Sequence, residues 1–189
     1  MPPRRFSNLA AFDDGPFPRQ HTGTVPVVGT VYADLRLDGV LVGRIEKDGN
    51  DATDVLGQMV RKSRFDEHIR LIMLQGIALG GFNVVDVFAL HRRLARPVLV
   101  VSRRRPNLAA IRDALLNHIP AGASKWRIIS RLGPMESAGP VFIQRIGLTR
   151  EEARETVGHF AVHSHVPEPL RSAHLIAGAM VEGQSRGKP

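Results

Sequence analysis

The stretch that most constrains this chain is IRLIMLQGIALGGFNVVD, residues 69–86. Ile69, Leu71, Ile72, Met73 and Leu74 form an apolar block too short for an ordinary helix. Gln75-Gly76 closes it, so the block predicts a strand buried on both faces. Gly76, Gly80 and Gly81 then supply a loop that can enter backbone conformations closed to other residues. The spacing of Val84, Val87, Phe88 and Leu94 predicts a helix next, with Asn83 as its cap and Asp86 as a charge in its first turn. Strand, loop and helix make half of a crossover unit, and in open α/β sheets working groups gather beyond the carboxyl ends of the strands. Gln75 and the loop behind it stand at such an end, although a plain central strand shows the same pattern.

The rest of the chain builds outward from this unit. The apolar residues 9–12 run into Asp13-Asp14-Gly15-Pro16, a strand that delivers two carboxylates to a turn. Residues 25–32 and 40–45 read as two strands of a hairpin joined through Asp38-Gly39, with Pro26 making the first an edge or giving it a late start. Beyond Asp51, a cap candidate followed by Asp54, residues Ala52, Val55, Leu56, Met59 and Val60 recur at helical spacing. Arg96-Pro97 ends the next helix, and residues 98–101 form another buried strand whose exit carries Ser102, Arg103, Arg104 and Arg105. Pro106-Asn107 opens a helix with Leu108, Ile111 and Leu115 on its buried face. Residues 126–129 and 141–143 read as two more strands separated by LGPMESAGP. Thr149 and Glu152 form a capping box. Pro167-Glu168-Pro169 starts a last helix with Leu170, Ala173, Ala177 and Val181 along one stripe, fraying into GQSRGKP.

This order predicts one domain over residues 1–189, of the α/β class, with a ribonuclease-H-like mixed sheet flanked by helices. A doubly wound nucleotide fold fits less well, because no strand is followed by GxGxxG or GxxxxGK[ST]. An apolar content of 43% supports a real core, and the absence of cysteine excludes disulfides and thiolate metal sites. The apolar runs are strand-sized and MPPRRFSNL lacks the apolar core of a signal peptide, so a cytoplasmic protein with no membrane partner is expected.

The net charge of +8 is local as well as global, with Arg92, Arg93, Arg96, Arg103, Arg104 and Arg105 clustered between residues 92 and 105. Such a cluster neutralises phosphates in a salt-dependent way, which points to DNA or RNA as partner, against the simpler reading of a solvated basic face. One Trp and one Tyr give little for broad stacking on single strands. Among the carboxylates, Asp13, Asp14, Asp51, Asp54 and Asp86 are candidates for a hard divalent cation, which in phosphodiester cleavage activates water and stabilises the leaving oxygen. Asp13 is the best placed, at a strand end, where aspartates also serve as turn acceptors. For Asp51 and Asp54 helix capping competes. His163 and His165 alternate as on one strand face but lack a third ligand. His174 stands within a turn or so of Glu168 and Arg171, where it can join a carboxylate cluster. No GxSxG elbow is present.

Five segments in order resemble the endonuclease V superfamily, within it the branch called domain-of-unknown-function family ninety-nine. They are FDDGPF at 12–17, LDGVLVGRIEKDGNDAT at 37–53, IRLIMLQGIALGGFNVVD at 69–86, RPVLVVSRRRP at 96–106 and PEPLRSAHLIA at 167–177. The resemblance implies a ribonuclease-H-like fold, Mg²⁺ or Mn²⁺ as cofactor, and cutting of nucleic acid near deaminated bases such as inosine. It also implies that Asp13 is the metal-binding aspartate of the first strand. Asp54, or less closely Asp51, then stands near the family's helix-head glutamate, Arg103 replaces a lysine after the PxxxVxK strand, and His174 lies near a late helical metal-site residue. The departure is Gln75, where endonuclease V carries the aspartate of a DG pair. An amide lends an oxygen but no charge, which predicts weaker Mg²⁺ binding and weaker water activation.

The leading expectation is an endonuclease-V-like protein on single-stranded or distorted DNA or RNA, with Asp13 and Asp54 as metal ligands and Gly76, Arg103, Arg104 and Arg105 at the nucleic acid. The alternatives are a catalytically disabled binding module on the same fold and a hydrolase of small molecules or nucleotides using the same acidic pocket.

Overall fold

A computed structural model describes residues 6–185. Residues 1–5 of MPPRRFSNL and residues 186–189 of the tail GQSRGKP lie outside it. The elements follow in the order β1 (Asn8–Asp14), β2 (Thr24–Ala33), β3 (Arg36–Glu46), α1 (Ala52–Arg61), β4 (Leu71–Gln75), β5 (Ala78–Leu79), β6 (Asn83–Val84), α2 (Val87–Leu94), β7 (Val98–Ser102), α3 (Leu108–His118), α4 (Gly122–Leu132), β8 (Glu136–Ala138), β9 (Val141–Ile146), α5 (Arg150–Phe160) and α6 (Glu168–Glu182). Seven strands make one mixed sheet in the order β3-β2-β1-β4-β7-β9-β8, and β5 and β6 form a separate small hairpin. β1, β4 and β7 run parallel at its centre, and the remaining neighbours are antiparallel. No helix among the described residues is long and apolar enough to cross a membrane.

Strand alternation sorts the core into two layers. Ala10, Phe12, Ile72, Leu74, Val98 and Val100 point to the side of α1 and α2, where they meet Leu56, Val60, Val87 and Leu90. Leu9, Ala11, Leu71, Met73, Leu99 and Val101 point to the opposite side, onto Val157 and Phe160 of α5 and Leu170 of α6. Because the central strands are covered on both faces they are apolar throughout, as the run in β4 predicts.

Several local expectations are corrected. The β2–β3 turn falls at Asp34-Leu35, with Asp34 at φ 53°, and not at Asp38-Gly39. Asp38 is the extra residue of a bulge between the Gly39 and Leu37 pairings, and the Phe65 ring lies 2.3 Å from where a Gly39 Cβ would be. A DG pair signals a turn only when no side chain has claimed the glycine's empty space. Pro26 makes β2 neither an edge nor a late starter. Its carbonyl accepts Gly15 N–H on the β1 side, and the missing return bond falls where that ladder ends. Residues 126–129 are helical, within α4, because Trp126 and Ile129 pack onto Leu115 and Ile111 of α3. A short apolar run does not by itself tell a strand from a buried helix turn. The Thr149–Glu152 capping box of α5 is present as expected.

Asn83 does not cap α2. Asp86 does, accepting Ala89 N–H at 2.9 Å. Asn83, fully buried, instead serves the previous helix. Its Oδ1 accepts the first amide of α1, Ala52 N–H, at 3.1 Å, and its Nδ2 donates to Glu46 O at 2.8 Å and to Asp51 Oδ1 at 2.6 Å. Asp51 is thereby committed, since it also accepts Glu46 N–H. Replacing Asn83 by Ala removes one buried and two part-buried hydrogen bonds and strands their partners, so it should cost about 3 kcal/mol of unfolding free energy, readable by urea denaturation. A change below about 0.5 kcal/mol would mean that the hub is dispensable.

Candidate functional site

The site grows out of strand register. β1 and β4 pair with Phe12 opposite Leu74, so the next residues, Asp13 and Gln75, stand side by side at the carboxyl edge. Both continue the alternation toward the α5/α6 layer. Gln75 pairs in turn with Val101 of β7, whose exit through Ser102 leads to Arg103 and Arg104. α6 crosses this face because its own residues let it approach closely. Ala173 and Ala177 pack on Val28, Thr30 Oγ1 donates to Pro169 O at 2.7 Å, and the Tyr32 hydroxyl meets Ser172 Oγ at 2.8 Å. That docking brings His174 Nδ1 to 2.9 Å from Asp13 Oδ2.

Asp13 is 5% exposed, and its other oxygen accepts Asp14 N–H at 3.0 Å. Burial pushes its pKa above the usual carboxylate value, and the His174 hydrogen bond opposes that rise. His174 is shifted up in turn, chiefly by its hydrogen bond to Asp13, while burial and the nearby positive charge of Arg103 work against it. Asp14 projects to the opposite face, where its Oδ2 accepts Gly80 N–H at 3.0 Å. Burial first, and then the charge of Asp13, push the Asp14 carboxyl up to about 6.

Gln75 differs from every other polar group nearby. Its Oε1 is buried and has no hydrogen-bond partner. Asp66 Oδ1, Arg145 Nε and Glu168 Oε2 share that description, but each lies in an ion pair, with Arg96, Glu136 and Arg171 respectively. Among the described residues Gln75 Oε1 is therefore the buried side-chain atom with neither kind of partner. The residue lines a cleft of about 660 Å³ together with Ser102, Arg103, Arg104, Pro140, Val141 and His165. An unpaired buried amide oxygen costs roughly 1–3 kcal/mol, a cost that a cation, a water or a ligand donor would remove.

The expected residues divide between this site and other places. Asp13, Gln75, Arg103 and His174 come together, and Arg104 shares the cleft. Asp54 does not join them: it is half-exposed on α1, on the other side of the sheet, and pairs with Arg93 of α2. The metal pair Asp13–Asp54 is thus not assembled, because a helix-head position leaves open which layer the helix occupies. Gly76 has the left-handed backbone expected of it, but its N–H already donates to Val101 O and offers nothing to a phosphate. Arg105 stacks on the Phe142 ring, 5.1 Å from its centroid. The arginine cluster is not one patch, since β7 separates Arg103, Arg104 and Arg105 from Arg96, which pairs with Asp66 at the amino edge. His163 and His165 lie in a bent segment and not on a strand, and of the two only His165 reaches the cleft. Pro140 and Val141 escape sequence reasoning, because only the β7–β9 pairing carries them there.

No three His, Asp or Glu side chains gather as a metal cluster among the described residues. A hard cation on a nucleic acid needs fewer, since Mg²⁺ is commonly held by one or two carboxylates with substrate phosphates and waters completing its shell. The Asp13 carboxylate and the unpartnered Gln75 oxygen fit that smaller donor set.

The sequence profile of the Endonuclease dU family matches residues 5–181. The chain belongs to the Endonuclease dU family. A UPF0215 protein of Deinococcus radiodurans is 49% identical over 184 residues, covering 97% of this chain and 94% of its own. Another, from Methanothermobacter thermautotrophicus, is 40% identical over 183 residues, covering 95% and 90%. The crystal structure of an Archaeoglobus fulgidus protein of unknown function superposes with a TM-score of 0.86 at 37% identity, over 93% of this chain and 99% of that one. More distantly, endonuclease V of Ciona intestinalis, solved with a 24mer DNA containing an inosine followed by a ribo-adenosine, matches with a TM-score of 0.56 at 11% identity, over 88% and 82%. The fold is therefore endonuclease-V-like, which is ribonuclease-H-like.

The Asp14 shift has a stability consequence. Between about pH 4 and 6 its carboxyl is ionised in the unfolded chain but protonated in the folded one, so raising pH through this window weakens folding. Asp14→Asn keeps an acceptor for Gly80 N–H and carries no charge. In EDTA it should raise stability at pH 7 by on the order of 2–3 kcal/mol, with the gain fading below about pH 4. Equal effects at both pH values in thermal melts would contradict the cause given for the shift.

Proposed function

We propose that this protein is a metal-assisted endonuclease acting on single-stranded or distorted nucleic acid at a deaminated base. DNA carrying deoxyuridine, the nucleoside in the family's name, is the substrate to try first. The observation that carries this reading is the buried, unpartnered Gln75 oxygen beside the Asp13 carboxylate, at the wall of a cleft shared with Arg103 and Arg104. Asp13 and Gln75 would hold Mg²⁺ or Mn²⁺, which when bound supplies water activation and charge neutralisation at a phosphate.

The chain's own groups do the remaining work. Arg103 and Arg104 draw the phosphate backbone into the cleft, and Arg103 offsets the negative charge that grows on the phosphate during cleavage. Asp13 fixes the His174 ring through Nδ1, which leaves Nε2 as the nitrogen that exchanges a proton with water or the departing oxygen. Burial of Asp13 keeps its carboxylate poorly solvated, so it gains more from a cation than an exposed carboxylate would. Asp54, held by Arg93, has no part in this scheme. A second reading, a binding module with a disabled site on the same fold, is favoured by the neutral amide of Gln75, where a second charge would strengthen metal binding.

The deciding experiment measures cutting of labelled strands containing deoxyuridine, inosine or no lesion, in Mg²⁺, Mn²⁺ or EDTA. For a nuclease, wild type should cut a lesion strand only with metal, and Asp13→Asn should lose on the order of 100-fold or more in rate. For the disabled module, wild type binds without cutting and Gln75→Asp gains cleavage. Cutting in EDTA would remove the metal from the mechanism, and unchanged cutting by Asp13→Asn would remove Asp13. Replacing Arg103 and Arg104 by Ala should weaken strand binding and reduce its log–log salt slope by about 1–2, measured by fluorescence anisotropy across a salt series. An unaltered isotherm would place the phosphate contacts elsewhere, and weak salt dependence in wild type would point to a small-molecule hydrolase.

A further inference from the structure

We propose that this protein is a two-fold dimer in which β3 pairs antiparallel with β3 of a second copy, about an axis through Leu41. β3 is eleven residues long and stands at the sheet edge, with β2 on one side and no strand on the other among the described residues. Open edges this long are ordinarily shortened, covered or filled with charge. This one presents Leu37, Val40 and Val42 at 43%, 41% and 55% exposure.

The sequence of the strand says which partner suits it. β3 reads RLDGVLVGRIE, and its stretch from Asp38 to Arg44 laid antiparallel against itself about Leu41 is self-complementary. Asp38 faces Arg44, Gly39 faces Gly43, Val40 faces Val42, and Leu41 faces its own copy. Shifting the pairing to centre on Val42 sets Val40 against Arg44, and centring on Val40 sets Asp38 against Val42, so either shift gives up the Asp38–Arg44 pair. Opposite charges directly across strands are stabilising, so both shifted alignments are disfavoured.

Backbone direction allows this register, as it allows the two shifted ones, and leaves the choice to the charges. Lys47 N–H reaches Gly23 O on the β2 side, so with the observed register Ile45, Gly43 and Leu41 also point their amides to β2. Arg44, Val42 and Val40 point outward, and the Leu41-centred register sets outward residues against outward residues. The ladder is bounded at one end, where Glu46 N–H is held by Asp51 and Glu46 O by Asn83. At the other end the Asp38 bulge ends it, so Asp38 and Arg44 of opposite copies close the ladder from both sides. Asp38 already pairs with Arg36, and Arg44 with Thr24, but a carboxylate and a guanidinium each have sites left over.

The side chains agree on both faces. On the α1 face, Phe65 and Met59 fill the spaces above Gly39 and Gly43, so those glycines bring no bulk into the junction. On the α6 face the helix covers Val28 of β2, whose neighbour on β3 is the exposed Val42. The second copy would add its own Val40 and Val42 there, making a four-valine cluster. Because β3 runs parallel to β1, the two Asp13 sites would open at opposite ends of the joined sheet. Each site is complete in one copy.

The test uses the full chain in analytical ultracentrifugation, with circular dichroism checking the fold. Wild type should be a dimer, Asp38→Arg and Arg44→Asp should each dimerise on the order of tenfold or more weakly, and the two together should restore wild-type association. Since the chain has no cysteine, Leu41→Cys should cross-link to its own copy on mild oxidation, whereas Val40→Cys and Val42→Cys should not. A monomeric wild type, a double variant that stays monomeric while folded, or cross-linking through position 40 or 42 instead of 41 would each overturn the proposal.

Discussion

The parallel pairing of β1 with β4 is the constraint on which the rest of the candidate site hangs. With Phe12 opposite Leu74, the two strands end level, and their next residues emerge together on the α6 side of the sheet. A slip of one residue in either strand would turn one of the two side chains into the opposite layer. The register is locked from below, since Ala10, Phe12, Ile72 and Leu74 on one face and Leu9, Ala11, Leu71 and Met73 on the other are all fully buried. The core therefore fixes where Asp13 and Gln75 emerge, before the hydrogen bond between Asp13 and His174 is counted.

Much of this was legible in the chain, and the parts that were not share one cause. Strand blocks, the Thr149 capping box and the strand-end positions of Asp13, Gln75 and Arg103 could be read because local pattern determines them. His174 could be placed near the site only through the family resemblance. What local pattern does not encode is which layer an element joins or which distant group has claimed a residue. Asp54 looks like a ligand until α1 is seen on the other side of the sheet, and Asp38-Gly39 looks like a turn until Phe65 occupies the space above the glycine. Residues 126–129 became a helix because α3 offered a surface for it to pack on.

Gln75 gives the site its character. A carboxylate in its place would sit buried beside Asp13, and two adjacent buried carboxylates hold each other's protons unless a cation is present. Asp14 already shows this penalty from one face of the sheet away. The amide avoids a second such penalty, so Asp13 and its His174 partner stay in place with no charge conflict beyond the one with Asp14.

The Asn83 contact also sets an order of events for the growing chain. The amide that opens α1 finds its acceptor 31 residues further along, in a hairpin that itself lies after the central strand. α1 can form early as a fluctuating segment, but its first turn is completed only once β4 and the β5–β6 hairpin have docked. Closing that long loop is slow compared with helix growth, and its reward arrives all at once. The amino-terminal sheet and the crossover unit are thereby tied into one cooperative folding step, so a polypeptide interrupted before residue 83 would leave a helix without its lock.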